Sequence, residues 1–324
     1  MTFRILAIDG GGIRGIIPAL MLATIEDQTK RPICELFDLI AGTSTGGILA
    51  LGLTKPGADG KIEHSAQSLI GLYEAEGRTI FPPPSILGRE IGLIRGAKYP
   101  ASGIDQTLIK YFGETRLKEA LKPVLVPSYD LEKQIPIFFK SENARAHEDY
   151  DFRMRDVARA TSAAPTYFPP AKIDTSDPLN YFSLVDGGVV AGNPAMCAYA
   201  EAVNMGKVDA GGVLMVSLGT GELQHPIMYD QACNWGQLEW AQPIINIVLQ
   251  ASNATVNYQL QQLLPGAGAQ RGYYRFQLEL TQPTEQMDNT DAGNLRQLAN
   301  LTGAFLSRAD IKADLDQLCR QLTA

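Results

Sequence analysis

The chain has 324 residues, of which 45% are hydrophobic and 19% are charged, as is typical of a folded globular protein and not of a disordered one. Its formal net charge is −7 and no long basic run offsets it, which argues against nonspecific nucleic-acid binding. This length fits one large α/β domain over residues 1–324, with a helical segment at 295–324 packed on it.

No targeting or membrane-spanning segment is predicted. Residues 1–10 lack a basic region followed by an apolar one, and no apolar run approaches the roughly 18 residues of a transmembrane helix. The expectation is a cytoplasmic protein, although secretion without a cleaved signal would leave no trace in the sequence. The cysteines are widely spaced and indicate reduced thiols, with no zinc site and no disulfide framework. They are Cys34, Cys197, Cys233 and Cys319.

The first predicted unit is a strand, a glycine loop and a helix. Residues 3–8 form a short apolar run suited to a buried strand, and residues 16–28 show helical spacing of their apolar side chains. Between them, Gly10-x-Gly12-x-x-Gly15 leaves backbone N–H groups uncovered. A negatively charged group can therefore approach this loop closely.

The glycine loop also fits a dinucleotide-binding pattern. That pattern requires an acidic residue about 20 residues further on, at the end of the next strand, to bind the ribose. The next predicted strand instead leads into Ser44. We therefore interpret the loop as an oxyanion hole, in which N–H groups near Gly11 and Gly12 face the carbonyl that the serine attacks.

That second strand, over residues 37–41, runs into Gly42-Thr43-Ser44-Thr45-Gly46 and then into a helical segment, which is the sequence form of a nucleophile elbow. The turn strains the serine backbone and crowds its neighbours, so the residues at 42 and 46 must lack a Cβ atom. The first turn of a helix also favours an alkoxide or oxyanion. Ser44 is therefore the candidate nucleophile, and the alternative is an ordinary helix N-cap.

A less regular region follows a predicted helix at 63–76. Residues 81–100 mix apolar, basic, proline and glycine residues without clean periodicity. This composition suits a lid or a peripheral contact with a membrane surface, and a simple surface excursion is the alternative. Further helices and strands are predicted over 104–112, 115–121, 123–129 and 134–140.

A second polar residue stands at a predicted strand end. A helix over 153–164 precedes an extended segment at 166–170, and a strand over 181–185 then ends in Asp186-Gly187-Gly188. Glycines after the aspartate leave its carboxylate open to approach. Asn193 is placed to cap the next helix, 194–205. The alternative is that Asp186 begins an ordinary Asp-Gly turn.

The remaining pattern predicts the fold class. A buried strand over 212–218, helices over 244–264 and 294–322, and a strand over 273–280 complete the chain. Strands separated by helical stretches imply a mostly parallel central sheet with helices on both faces.

Two partners could activate the serine. Of the histidines, His64 lies at a helix start and His147 in a polar loop, so only His225 is placed near a sheet edge. Ser44, Asp186 and His225 would follow the chain order of an α/β-hydrolase triad. The alternative is a dyad in which Asp186 takes the serine proton directly, which requires partial desolvation to raise its pKa.

Three separated motifs together resemble the patatin-like phospholipase family. They are Asp9-Gly10-Gly11-Gly12-Ile13-Arg14-Gly15, Gly42-Thr43-Ser44-Thr45-Gly46 and Asp186-Gly187-Gly188, and the segments 160–169 and 217–221 are also similar to patatin sequences. The resemblance is strongest over residues 4–220. One departure is Ala191-Gly192-Asn193-Pro194, where patatins often have Ala-Asn-Asn-Pro.

The resemblance implies a three-layer α/β/α sandwich and hydrolysis of acyl esters of phospholipids or other lipids, of the phospholipase A or lysophospholipase type, without metal or cofactor. Ser44 would be the nucleophile and Asp186 the base. The implied oxyanion loop is Gly10, Gly11 and Gly12, with Arg14 near it; Gly42, Gly46, Gly187 and Gly188 support the site. The other hypotheses are a silent lipid-binding or scaffold protein, an esterase using His225, and a nucleotide-binding protein that uses the Gly10 loop. The sequence does not predict the oligomeric state.

Overall fold

A mostly parallel β-sheet forms the centre of the protein. The computed structural model describes residues 2–83, 96–177, 179–208, 212–223, 226–241, 243–265, 271–280 and 286–324. The strands found in these ranges are β1 (Phe3–Ile8), β2 (Leu39–Gly42), β3 (Val124–Asp130), β4 (Ile135–Lys140), β5 (Ala171–Asp174), β6 (Tyr181–Asp186), β7 (Val213–Leu218), β8 (Glu222–Leu223), β9 (Tyr273–Phe276) and β10 (Glu279–Leu280).

The sheet is ordered β5-β6-β3-β2-β1-β7-β9, with β4 also paired to β3, while β8 and β10 form a separate short ladder. Strands β1, β2, β3, β7 and β9 run parallel to one another. Strands β4 and β6 run antiparallel to β3, and β5 runs antiparallel to β6. The carboxyl ends of β1, β2 and β7 therefore meet at one edge, which is where ligands bind in open α/β sheets.

Helices cover both faces of this sheet. In the described ranges they are α1 (Ile16–Thr29), α2 (Ile33–Leu36), α3 (Thr45–Thr54), α4 (Ala66–Ile80), α5 (Ala101–Phe112), α6 (Ser141–Ala146), α7 (Met154–Thr161), α8 (Gly188–Ala191), α9 (Ala195–Asn204), α10 (Tyr229–Ala232), α11 (Gln237–Ala241), α12 (Pro243–Leu263), α13 (Ala292–Leu306) and α14 (Ala309–Thr323). Short 3-10 turns occur at Gly12–Gly15, Leu117–Glu119 and Glu148–Tyr150.

Alternation of side chains along the central strands creates two cores. Leu6 and Ile8 of β1 lie in a large cluster with residues of α1, α3, α4, α13 and α14. Ile5 and Ala7 of the same strand face the opposite way, into a smaller cluster with α9 and α12. Because successive strand residues point to opposite faces, a strand apolar at every position is buried between two helical layers. The predicted three-layer α/β/α sandwich is confirmed.

The last two helices share the larger core. Leu315, Leu318 and Leu322 of α14 are buried in the same cluster as Ile17 of α1. The Arg4 guanidinium also donates to the carbonyl oxygen of Leu322 at 2.7 Å, which ties the end of α14 to β1.

Some local predictions were wrong. The helix expected over 115–121 is only the 3-10 turn Leu117–Glu119, and β5 was not predicted. The segment 166–170 begins as a turn, because the Tyr167 and Phe168 N–H groups both donate to Ala164 O and Thr166 has φ +72°. Within the described ranges, no helix is long and apolar enough to span a bilayer. Residues 84–95, in the predicted membrane-contact segment 81–100, lie outside those ranges.

Candidate active site

Ser44 lies at a strained turn between β2 and α3. Its backbone dihedrals are φ +55° and ψ −123°, in a region that residues with a Cβ atom rarely occupy. The Ser44 side chain makes no capping hydrogen bond to α3, contrary to the N-cap alternative, and the helix begins at the next residue. The predicted elbow geometry is therefore present.

Two glycines make this turn sterically feasible. A Cβ atom on Gly42 would clash with the carbonyl oxygen of Gly46, and one on Gly46 would clash with the carbonyl oxygen of Ile8 in β1. The elbow thus packs closely on the backbone of the central strand. Both positions require glycine because any side chain would push the turn away from β1.

The Ser44 hydroxyl is hydrogen bonded to a carboxylate. Its Oγ donates to Asp186 Oδ2 at 2.6 Å, although the two residues are 142 positions apart in the chain. The Ser44 N–H donates to Thr161 Oγ1 at 2.9 Å. Both hydrogen-bond donors of the serine, its hydroxyl and its backbone N–H, are therefore engaged.

Asp186 is the last residue of β6. It both begins an Asp-Gly turn and contacts the serine, so the two interpretations of its sequence are compatible. Its Oδ1 accepts from the Gly188 N–H at 2.7 Å, which is the expected Asp-Gly turn, and its Oδ2 accepts from Ser44. A Cβ atom on Gly187 would clash with Pro127 O in β3, and one on Gly188 would lie only 3.0 Å from Asp186 Oδ1. These glycines let the carboxylate face the serine.

Burial changes the basicity of this carboxylate. Asp186 is 5% exposed, and desolvation raises its pKa from the ordinary 3.8 to about 6, although the hydrogen bonds from Ser44 and Gly188 oppose that rise. A carboxylate with this pKa is a stronger base than an exposed one and is still ionised at neutral pH.

The glycine loop passes directly beside the serine. A Cβ atom on Gly10 would lie 3.3 Å from Ser44 Cβ. The Gly10 N–H donates to Gly192 O at 3.0 Å and so already has an acceptor. The N–H groups of Gly11 and Gly12, by contrast, have no acceptor among the residues that the structure describes. Within the described part of the chain, the free backbone donors of the loop are therefore at 11 and 12.

Neighbouring segments fix the shape of this loop. Thr220 Oγ1 donates to Gly10 O at 2.7 Å and fills the space that a side chain on Gly11 would need. Gly12 has φ +58°, and a Cβ atom there would clash with Met287 O, which also accepts from the Ile13 N–H. A neighbouring side chain at Gly11 and a neighbouring backbone at Gly12 therefore leave no room for a Cβ atom at either position.

A buried ion pair holds the start of the loop. Both terminal nitrogens of the Arg275 guanidinium donate to the two oxygens of Asp9, at 3.0 and 2.6 Å, and Arg275 also donates to Ser217 Oγ at 2.7 Å. Arg14, buried and near the loop as expected, directs Nε toward Gly11 O at 3.4 Å. The loop is thus anchored from β7 and β9.

The described histidines lie away from the Ser44–Asp186 pair. His64 Nε2 lies 3.4 Å from Tyr111 O, and His147 packs its ring against Tyr150. His225, the third member of the triad hypothesis, lies outside the described residues.

Sequence reasoning missed several residues that shape the site. Thr161 and Thr220 belong to segments that resemble patatin sequences, so a signal was present without a role attached to it. Arg275 follows the loop by 266 positions and had no local signal. Asn193 lies just before α9, and its Oδ1 accepts from the N–H of Ala195, the first residue of that helix, at 3.0 Å, as the capping prediction requires. In the part of the chain that the structure describes, no cluster of three metal-binding side chains occurs.

Comparison with known proteins agrees with these motifs. The family model described as patatin-like phospholipase matches residues 6–199, a range that contains the glycine loop, the elbow and Asp186. Patatin-like protein 2 of Arabidopsis thaliana is 32% identical over 98% of this chain and 86% of its own. Patatin-like protein 1 of the same plant is 31% identical over 96% of this chain and 83% of its own. Patatin group J-1 of Solanum tuberosum is 31% identical over 94% of this chain and 84% of its own. The chain belongs to the patatin-like phospholipase family.

Proposed function

We propose that this protein is a lipid acyl hydrolase that cleaves carboxylic ester bonds through an acyl-serine intermediate, with Ser44 as nucleophile and Asp186 as base. The observation that carries the proposal is the 2.6 Å hydrogen bond from Ser44 Oγ to the buried Asp186 Oδ2. Family membership supports the same class of reaction.

In the first half of the reaction, Ser44 Oγ attacks the ester carbonyl carbon while its proton moves to Asp186 Oδ2. The tetrahedral intermediate then collapses: the bond to the leaving alcohol breaks, and Asp186 returns the proton to that alcohol. The raised pKa of Asp186 makes it suited to both transfers, since an acid with a pKa of about 6 also donates readily.

The glycine loop stabilises the oxyanion of that intermediate. The free N–H groups of Gly11 and Gly12 supply the hydrogen bonds, while Gly10 allows the loop to approach Ser44 closely. Each such preorganised donor stabilises a transition state by about 3 to 4 kcal/mol. The positive end of α3 adds to this effect.

In the second half, a water molecule attacks the acyl-serine. Asp186 takes a proton from the water and then gives it to Ser44 Oγ as the ester bond breaks, which releases the carboxylic acid and restores the enzyme. The Ser44 and Asp186 side chains of this dyad suffice for both halves, without a metal ion or cofactor.

The substrate is a phospholipid or another acyl lipid, and the reaction is of the phospholipase A or lysophospholipase type. The family description supports this choice. Residues 81–100, apolar and basic in sequence, are proposed to contact the surface of the lipid aggregate.

Hydrolysis of a panel of phospholipids, lysophospholipids, galactolipids and short-chain acyl esters tests this proposal. Wild type should cleave at least one class, and Ser44→Ala and Asp186→Asn should each retain less than about one part in a hundred of that rate. More residual activity in either purified, folded variant would contradict the dyad.

Two further measurements separate the other hypotheses. His225→Ala should keep wild-type activity, whereas a triad predicts a loss of several orders of magnitude. A fluorophosphonate probe should label wild type at Ser44 and leave Ser44→Ala unlabelled. Wild type that neither reacts with the probe nor turns over any ester would instead be a silent lipid-binding protein.

A further inference from the structure

We propose that Thr161 is a positioning residue that holds the two halves of the dyad in register. The inference rests on the proposed function, because it concerns how Ser44 and Asp186 are held for catalysis. Thr161 is the last residue of α7 and is fully buried.

The Thr161 hydroxyl makes two hydrogen bonds with defined directions. It donates its only proton to Pro127 O in β3 at 2.7 Å, so it must accept the bond from the Ser44 N–H at 2.9 Å. Together, the two bonds connect the strained elbow, where Ser44 has φ +55°, to β3 through the Thr161 hydroxyl. Strained backbone conformations persist only where the surroundings hold them.

The backbone of the same segment binds the other half of the dyad. The carbonyl oxygen of Thr161 accepts from the Gly187 N–H at 3.2 Å, and that of Ala163 accepts from the Asp186 N–H at 3.0 Å. These carbonyls are available because α7 ends at Thr161. One short segment therefore binds the backbones of Ser44, Asp186 and Gly187, and so sets the distance between Ser44 Oγ and Asp186 Oδ2.

The Thr161 methyl group has a separate, purely packing role. A Cβ atom on Gly47 of α3 would lie 2.8 Å from Thr161 Cγ2, so the methyl group lies directly against that helix. Valine keeps this shape and loses the hydroxyl, whereas serine keeps the hydroxyl and loses the methyl group. The two substitutions separate positioning from packing.

The test compares kcat and KM of wild type, Thr161→Val, Thr161→Ser and Thr161→Ala on a soluble short-chain ester, together with the rate of fluorophosphonate labelling. A small misplacement of reacting groups lowers the rate steeply without changing substrate binding. Valine and alanine should lower kcat and the labelling rate by about 10- to 100-fold with KM nearly unchanged. Serine should stay within about threefold of wild type because it restores the hydrogen bond.

The matched control is Thr302→Val in α13, which is also buried but donates only to Leu298 O of its own helix, at 2.8 Å. Its kcat should equal that of wild type. Equal kcat for Thr161→Val and wild type, or a loss in Thr161→Ser as large as in the valine and alanine variants, would overturn the inference. If wild type itself neither turns over esters nor reacts with the probe, the proposed function has failed instead. Should the valine variant not fold, the alanine and serine pair still differs by the hydroxyl alone.

Discussion

Gly42 and Gly46 face each other across the nucleophile elbow so closely that a Cβ atom on Gly42 would clash with the Gly46 carbonyl oxygen. Ser44 lies between them with φ +55°. The turn can adopt this shape only because both flanking residues lack side chains, and the shape is what directs the hydroxyl toward Asp186.

Gly42→Ala should therefore displace Ser44. The new methyl group must push the Gly46 backbone away, and that backbone cannot move because it packs on Ile8 of β1. We expect a loss of activity of at least about 100-fold, since a displacement near 1 Å costs that much. Ester hydrolysis and fluorophosphonate labelling measure the loss.

A glycine in open space provides the control for this substitution. Gly71 in α4 has no atom within 4 Å of the position of a Cβ atom. Gly71→Ala should keep full activity and stabilise the protein slightly, by about 0.5 to 1 kcal/mol, because alanine favours a helix interior. Full activity of Gly42→Ala would show that the elbow can relax without cost.

The pKa of Asp186 predicts the pH dependence of the reaction. Protonated Asp186 cannot accept the Ser44 proton, and burial raises its pKa to about 6. The value of kcat/KM for a soluble ester should therefore rise with pH, reach a plateau above about pH 7, and at pH 5 be about a tenth of the plateau. A plateau already reached at pH 4.5 would mean that the base is an ordinary exposed carboxylate.

A histidine base would give a similar profile, because the reference pKa of histidine is about 6.5. The same pH series with His225→Ala separates the two. We expect an unchanged midpoint and an unchanged plateau. Loss of the ascending limb in this variant would instead assign the titration to His225.

The same pKa shift predicts that the candidate base destabilises the fold. The unfolded chain releases the Asp186 proton at the ordinary pKa of 3.8, whereas the folded protein keeps it until pH is about 6. Ionisation therefore favours the unfolded state in this window, and the contribution of Asp186 to stability is lost as pH rises through it. As pH rises from 4 to 7.5, the free energy of unfolding of Asp186→Asn should increase relative to that of wild type by up to about 3 kcal/mol.

Urea unfolding of both proteins across this range measures the difference. Ser44→Ala is the control, since it removes the hydroxyl and keeps the buried carboxylate. Because the Ser44 hydrogen bond lowers the pKa of Asp186, stability in this variant should fall with pH at least as much as in wild type. A constant difference between wild type and Asp186→Asn would contradict the raised pKa.

Sequence reasoning reached those parts of the site whose requirements are local. The elbow is one such part, since the steric demand for Gly42 and Gly46 falls within five residues. Asp186 was identified at the end of a predicted strand, but the direction of that strand was not predicted. Strand β6 runs antiparallel to β3, and Asp186 reaches the serine because it pairs opposite Ser128. Strand direction depends on long-range pairing, which no local pattern encodes.

The residues that sequence reasoning missed act over long separations. Thr161 binds a residue 117 positions earlier, and Arg275 binds one 266 positions earlier. A threonine at a helix end and an arginine in a strand have many ordinary roles. Only the assembled sheet shows that these two hold the elbow and the glycine loop.

The Asp9–Arg275 pair is predicted to be the ion pair on which the glycine loop depends. Asp9 is 1% exposed, so Arg275→Met leaves a buried carboxylate without its partner, which costs about 3 to 5 kcal/mol. Urea unfolding at pH 7 should show that loss, and adding Asp9→Asn should recover part of it by removing the buried charge. The control is Arg308→Met, because Arg308 pairs with Asp310 at 2.7 Å but both side chains are more than half exposed, at 59% and 62%. Because solvent screens this exposed pair, the loss there should be far smaller than at Arg275. Equal losses at the two arginines would show that water reaches Asp9 and that the loop is held by its backbone contacts alone.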